Sequence, residues 1–551
     1  MVKKQVPWHW VFYMLVVCIA WPLLWSAPLV DEPVMVYTGW QVAQGKLLYR
    51  DVFEFVMPGT ALLIAGTIKL LGGGLPIQLW LVLRGLNLLL WLVSMQVMEG
   101  FMETLALKPQ WRWLYRLSMT NWLFASPMLL LQITHHLYSA HFAVWGVGCM
   151  GRYVGSSHKV DSGRPWVWLI LSGLCFGLSS CFTQTLGVLV GGSVFLFLLW
   201  KLKIRKELPV YVLACVLPVF LVGLYFVFIG EWPVFIDSVL GFLLHSGYKE
   251  LDSFPYQPLF FNVSTLLPNM CDVLASTVWF LKPVILAVLS CVLMQITLLV
   301  VGGLYAVWSL LRTGREEVQY QNLLALAALG FFVASLSSPS TYLFGFHSWF
   351  LVLLGLFGLA RYVNKVEGFS ACWLQNVLGS VLSLLFIVYI LQLGTCLLNA
   401  QGEKERVVFS HGQSLPLIVE GNLQQALNKN RVTQWIFAEN TPKNEPVSLF
   451  VFNSSPEFYL TLEAENPTKY RYLMPVLDPP RKQYTALREL QQKPPQWMIW
   501  DRASVLAKEN DPRYRNIPRE RLNLIPEFRQ WVLGHYKRVF EAYPYVVYER
   551  R

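Results

Sequence analysis

Residues 8–27 read WHWVFYMLVVCIAWPLLWSA, and after Pro28-Leu29-Val30 come two acids, Asp31-Glu32. An uncharged apolar run of this length can cross a hydrocarbon core of about 30 Å as a helix. Lys3 and Lys4 precede it, as in a secretory signal. The core is nevertheless long and Trp-rich, and Ser26-Ala27-Pro28 is a poor cleavage site, so the run reads as a retained span.

Outward from this stretch, further apolar runs fall near 76–98, 118–134, 138–154, 166–181, 183–200, 209–229, 283–311, 321–338, 342–360 and 374–397, which makes eleven expected spans. The composition agrees: of 551 residues 55% are hydrophobic and only 14% charged, with a mean hydropathy of +0.45. Soluble domains carry about 25% charged residues, so an ordinary soluble enzyme and a disordered chain are both excluded. The sparse charge ends near residue 398. Residues 1–398 hold 22 basic and 16 acidic residues, and 399–551 hold the other 22 and 17 in far less length. The expected architecture is a polytopic α-helical membrane domain, 1–398, followed by an extracytoplasmic α/β domain, 399–551. The nine cysteines all precede the tail, mostly inside apolar runs and without metal-ligand spacing.

The net charge of +11 is a topological signal and does not call for nucleic acid. With the N-terminus in the cytoplasm, the even-numbered connections carry Lys108, Arg112 and Arg116; Arg152, Lys159 and Arg164; Lys201, Lys203, Arg205 and Lys206; Arg312 and Arg315; Arg361 and Lys365. The odd-numbered connections carry far fewer, as the positive-inside rule requires. An odd span count leaves the tail outside a multi-pass protein of the inner or plasma membrane. No internal repeat stands out.

The loop after the first span, about 28–75, contains Val36–Gln44 and Thr60–Leu71, apolar-patterned segments suited to helices lying along the interface. It also gathers Asp31, Glu32, Asp51 and Glu54, four acids at one edge of an acid-poor body. Such acids can take a proton from an attacking hydroxyl or orient a substrate. Alternatively, they simply pair with Lys46 and Arg50, as surface ions do. Arg84, inside the second span, is costly there unless it functions or pairs.

The Asp31-Glu32 pair and the later run Gly45, Tyr49-Arg50-Asp51-Val52-Phe53-Glu54-Phe55, Pro58-Gly59 resemble the GT-C glycosyltransferases. The likeness is to bacterial members grouped with protein O-mannosyltransferases and the lipid A aminoarabinose transferase. It extends to the tail run Val451 to Leu460, to Asn466-Pro467 and to Gln496 to Asp501. The resemblance implies an enzyme that moves a sugar from a polyprenyl-phosphate carrier, with inversion, to an envelope lipid, glycan or protein. It implies Asp31 as general base with Glu32 beside it, and Glu54 or Asp51 near the substrate or a metal. Phe55 and Val56-Met57 depart from the pattern, which has a basic residue and paired prolines there.

A phosphate leaving group needs a cation more than a proton. Arg84 is the first candidate, followed by Lys46 and Arg50. His135 and His136, with His141, lie at the junction of the third and fourth spans. A divalent cation, if used, is expected on Glu54 with His135 or His136. His347 matches a donor-contacting position of some relatives. Other classes are a transporter or flippase for a lipid-linked substrate, or a non-catalytic envelope assembly protein. The concentration of acids at one surface favours the enzyme, because transporters place polar groups near the midplane.

Overall fold

The computed structural model describes residues 8–24, 32–73, 78–125, 132–157, 165–200, 206–241, 300–311, 316–336, 344–365, 379–380, 383, 387, 406–408, 414–416, 423–440, 446–452, 456–471, 473, 480–502 and 525–551. In chain order the helices are α1 (Trp8–Leu24), α2 (Glu32–Ala43), α3 (Gly59–Leu70), α4 (Gln78–Thr104), α5 (Pro109–Ala125), α6 (His135–Ser157), α7 (Pro165–Phe182), α8 (Gln184–Trp200), α9 (Leu208–Phe228) and α10 (Trp232–Ile236). They continue with α11 (Val300–Leu310), α12 (Glu316–Leu336) and α13 (Phe344–Lys365). The tail adds α14 (Leu423–Asn440), α15 (Glu457–Thr461), α16 (Pro480–Gln492) and α17 (Pro526–His535). Its strands are β1 (Arg406–Val408), β2 (Ser414–Pro416), β3 (Leu449–Phe452), β4 (Trp497–Asp501), β5 (Tyr536–Ala542) and β6 (Tyr545–Arg550).

Among the described residues, α4, α7 and α9 are long and apolar enough to cross a membrane, and shorter apolar helices accompany them. The outward face of α9 shows why water is the wrong solvent. Leu213, Val216, Phe220 and Leu221 are all exposed, and a contiguous apolar face of this kind requires lipid or a partner. The expected span at 374–397 and the first part of 283–311 lie outside the described residues, apart from a few positions. The expected third span shifts: its helix starts at Pro109, where a proline without an N–H is at home in the first turn.

The chain divides into two compact units: Met1–Trp21, Gly85–Leu224 and Phe254–Gly394 form the first, and Pro22–Arg84, Tyr225–Ser253 and Thr395–Arg551 the second. In the first unit, glycines allow close helix approach. A Cβ at Gly146 of α6 would stand 2.8 Å from the Phe176 ring of α7, and one at Gly177 only 2.7 Å from Pro218 of α9. The break between α7 and α8 is a single residue, Thr183, whose hydroxyl donates to the His135 carbonyl at 3.2 Å. Buried Glu99 of α4 accepts from Tyr13 of α1 at 2.7 Å and from Arg116 of α5 at 2.8 Å. An acid inside a bundle needs such partners.

The second unit holds both loop helices and the tail. Helices α2 and α3 pack together through Gly39, where a Cβ would meet Ile64 Cβ at 2.5 Å. The tail sheet runs β3-β4-β6-β5, with β3 and β4 parallel, and β4–β6 and β5–β6 antiparallel. Parallel neighbours need a crossover, here α15 and α16. The core beneath comprises Phe450, Phe452, Leu473, Leu487, Met498 and Phe528, and the loop residue Phe53 packs against it.

Candidate active site in the first loop

Helix α2 begins at Glu32, immediately after Asp31, which lies outside the described residues. Glu32 is fully buried, and so is Arg84. The guanidinium meets the carboxylate as a fork: Nε donates to Oε1 at 2.9 Å and Nη2 to Oε2. Nη1 adds a bond to the Leu24 carbonyl at 3.1 Å. Arg84 therefore binds both the last residue of α1 and the first of α2. As an acid in the first turn, Glu32 also faces the favourable end of the helix dipole.

Helix α2 ends in a Schellman motif. Gly45 N–H donates to the Val42 carbonyl at 3.0 Å and Lys46 N–H to the Gln41 carbonyl at 3.1 Å. Gly45 has φ +92°, the left-handed conformation that this cap requires. The cap sets Lys46, half-buried, at the mouth of the turn. Burial holds its ammonium below the ordinary lysine value, with Glu465 opposing, Lys493 adding to the depression and Asp51 opposing.

The Tyr49-Arg50-Asp51 run is a tight loop. Tyr49 itself has φ 71°, a costly backbone for a bulky residue. Its hydroxyl donates to the Val56 carbonyl at 2.7 Å, and its ring lies 5.2 Å from that of Phe226 and 5.3 Å from that of Phe235. Asp51 closes the loop by accepting from Leu47 N–H at 2.9 Å and from Arg50 Nε at 2.8 Å. Arg50 also reaches Glu231 at 3.1 Å. The Arg50 bond holds the Asp51 carboxyl below the usual carboxylate range, against the effect of desolvation and with help from the Leu47 N–H.

Glu54 is buried and faces the tail residue Arg471. Nη1 donates to Oε2 at 2.7 Å and Nη2 to Oε1 at 3.3 Å. Oε1 also accepts from Phe55 N–H at 3.0 Å. The same Nη1 approaches the Thr38 hydroxyl at 2.6 Å, whose own proton goes to the Val34 carbonyl at 3.0 Å. Arg471 stands on a turn built by Asn466, which accepts from Thr468 N–H at 2.9 Å and donates to the Tyr470 carbonyl at 2.9 Å.

The structure thus brings Glu32 to Arg84 and Arg50 to Asp51, and it gives Glu54 a partner, Arg471, from the tail. His135 and His136 belong to the other unit. Their rings lie 4.0 Å apart. Among the described residues, no group of three or more His, Cys, Asp or Glu could hold a metal ion. Glu54, expected as a ligand, has a cation already. The side chain of His347 lies outside the described residues. Arg471 and Thr38 were not among the residues singled out by sequence. The only signal for Arg471 was Asn466-Pro467, which marks the turn that presents it.

No family model matches the sequence, and no curated protein matches it. Solved structures do. ArnT from Cupriavidus metallidurans in the apo state aligns with a TM-score of 0.52 at 12% identity, covering 99% of this chain and 98% of that one. The same protein bound to undecaprenyl phosphate gives 0.50 at 12% identity over 98% of both chains. The Archaeoglobus fulgidus oligosaccharyltransferase in complex with Zn and sulfate gives 0.50 at 11% identity, over 90% of this chain and 68% of that one. A likeness that runs through the helical body, the loop helices and the tail together is a likeness of whole fold, and the chain has the fold of the GT-C glycosyltransferases.

Proposed function

We propose that the protein is a membrane glycosyltransferase that takes a sugar from a polyprenyl-phosphate carrier and transfers it to an acceptor of the cell envelope. The observation that carries this reading is the full-length match to ArnT, which was crystallised with undecaprenyl phosphate. Fold alone does not fix function, so the residues of the first loop must supply the chemistry.

In this reading an acceptor hydroxyl attacks the anomeric carbon as the bond to the phosphate oxygen breaks, with inversion. Its proton passes to Asp31, and the bond electrons leave on the polyprenyl phosphate. The leaving phosphate needs a cation held in place beforehand. Arg84 is held by Glu32, and Arg50 by Asp51 and Glu231. Lys46 makes no such pair among the described residues. Lys46 is therefore assigned to the leaving phosphate, and Arg84 to anchoring the residue next to the base. A resident metal does not fit Glu54, whose oxygens are occupied, so no step runs through one.

Purified protein supplied with an undecaprenyl-phosphate-linked sugar and an envelope extract tests the reading. One envelope component should gain the mass of one sugar, and Asp31→Asn should abolish that gain without changing the melting temperature. Undiminished transfer by Asp31→Asn would remove the base from the scheme.

A further inference from the structure

In the resemblance drawn from the sequence, Glu54 falls where an acid lies near the substrate or a metal. In this chain the surroundings of Glu54 contain something else. A carboxylate has two oxygens and about four acceptor positions. Oε2 receives Arg471 Nη1 at 2.7 Å, and Oε1 receives Nη2 at 3.3 Å together with the Phe55 N–H at 3.0 Å. The Thr38 hydroxyl sits 3.5 Å from Oε2 and closes the remaining approach. A zinc ion binds carboxylate oxygens at about 2.0–2.2 Å. Such an ion would have to enter the space of the guanidinium nitrogens and accept their positive charge as a neighbour. Both side chains are almost fully buried, with 5% of the Arg471 side chain and 2% of that of Glu54 exposed.

We propose that Arg471 is the resident cation of Glu54: a guanidinium from the tail occupies the position that a divalent ion would take, and it fixes the first loop in place of a metal. The neighbouring contacts give the same assignment. Phe53 N–H donates to the Lys469 carbonyl at 2.9 Å, and the Phe53 and Tyr470 rings lie 5.5 Å apart. Lys482 Nζ sits 3.9 Å from the Phe53 ring centroid, a favourable cation–π distance. Consecutive loop residues Phe53 and Glu54 are thus held by consecutive tail residues Lys469, Tyr470 and Arg471. A fork of donors is suited to this, because a bidentate guanidinium fixes orientation as well as charge. Arg471 is a positioning residue, and no reacting atom is assigned to it.

The test uses the full chain purified in detergent and does not depend on the glycosyltransferase reading, since it measures metal content and melting. Zn2+ and Mn2+ are offered, excess is removed, and bound metal is counted by mass spectrometry for wild type and Glu54→Gln. Melting temperatures are compared for wild type with and without EDTA, and for Glu54→Gln, Arg471→Met and the double variant. The expected result is no stoichiometric metal in either protein and no effect of EDTA. Each single variant should melt below wild type, and the double variant should recover most of the loss. One equivalent of metal that disappears in Glu54→Gln, or melting losses that simply add in the double variant, would overturn the proposal. If a single variant fails to fold, the metal count on wild type and the melting of the double variant still decide it.

Discussion

Two buried ion pairs flank the loop helices, and they differ in where their cations come from. Glu32 begins α2 and is matched by Arg84, 52 residues away along the same stretch of chain. Glu54 precedes α3 and is matched by Arg471, 417 residues away in the tail. Both arginines use a third donor on backbone or hydroxyl: Leu24 carbonyl for Arg84, Thr38 for Arg471. The first pair joins the ends of two helices that the chain brings together anyway. The second exists only once the tail has folded and its Asn466 turn has formed. The lesson is that two of the four acids gathered in this loop, Glu32 and Glu54, are each held by a buried guanidinium.

The largest effect expected concerns these anchors. A buried pair is a modest source of net stability, but removing one partner strands a charge and costs about 3–5 kcal/mol. Arg84→Leu should lower the melting temperature sharply, and Arg84→Leu with Glu32→Leu should lower it much less. If the single variant melts like wild type, Arg84 is not held as described, and the comparison between the two pairs fails. Glu54→Gln and Arg471→Met should behave as the second such set. A sharper contrast is kinetic: loss of the local pair should leave the tail protease-resistant, whereas loss of the distant pair should expose the segment around Lys469.

A smaller effect tests whether the two helices carrying these acids move as one piece. A Cβ added at Gly39 would fall 2.5 Å from Ile64 Cβ and 3.2 Å from the Ala61 carbonyl. The backbone oxygen cannot swing aside, so α2 and α3 must separate. Overpacking of this kind costs about 1–3 kcal/mol. Gly39→Ala should therefore melt below wild type, and Ile64→Ala in the same chain should restore part of the loss. An unchanged melting temperature would mean that the anchors hold two independent helices.

Much of this was legible before the structure. The apolar periodicity over Val36–Gln44 and Thr60–Leu71 placed both loop helices to within a few residues, because amphipathic spacing is a local property. Arg84 stood out because a charge in an apolar span demands a partner. Which loop acid partners it was not legible, because Glu32 lies 52 residues away with no spacing to read. Glu99 carried no signal and Arg471 only the Asn466-Pro467 turn before it, since ion pairs between distant segments leave no spacing to read. Strand β5 was missed for a related reason. Its Lys537, Arg538 and Glu541 face solvent and only its end residues Tyr536 and Ala542 are buried, so no alternation betrays it. The β3, β4 and β6 runs differ in that each buries consecutive apolar residues.

A last effect, on transfer and not on melting, concerns the cation left over when the anchors are subtracted. Burial lowers the proton affinity of Lys46 below that of an ordinary lysine. If its charge stabilises the leaving phosphate, transfer should fall as pH rises through that lowered value, earlier than an exposed lysine would allow. The sign follows from the protonated form being the active one and burial disfavouring it. Arginine stays charged throughout the accessible range, so Lys46→Arg should keep most of the transfer at neutral pH and move the alkaline limb upward. Lys46→Met should lower transfer at every pH by about 10²–10³-fold, the usual effect of losing one donor to a developing anion. A pH–rate profile of Lys46→Arg that coincides with wild type would return the phosphate to Arg84, and with it the idea that this arginine is more than an anchor.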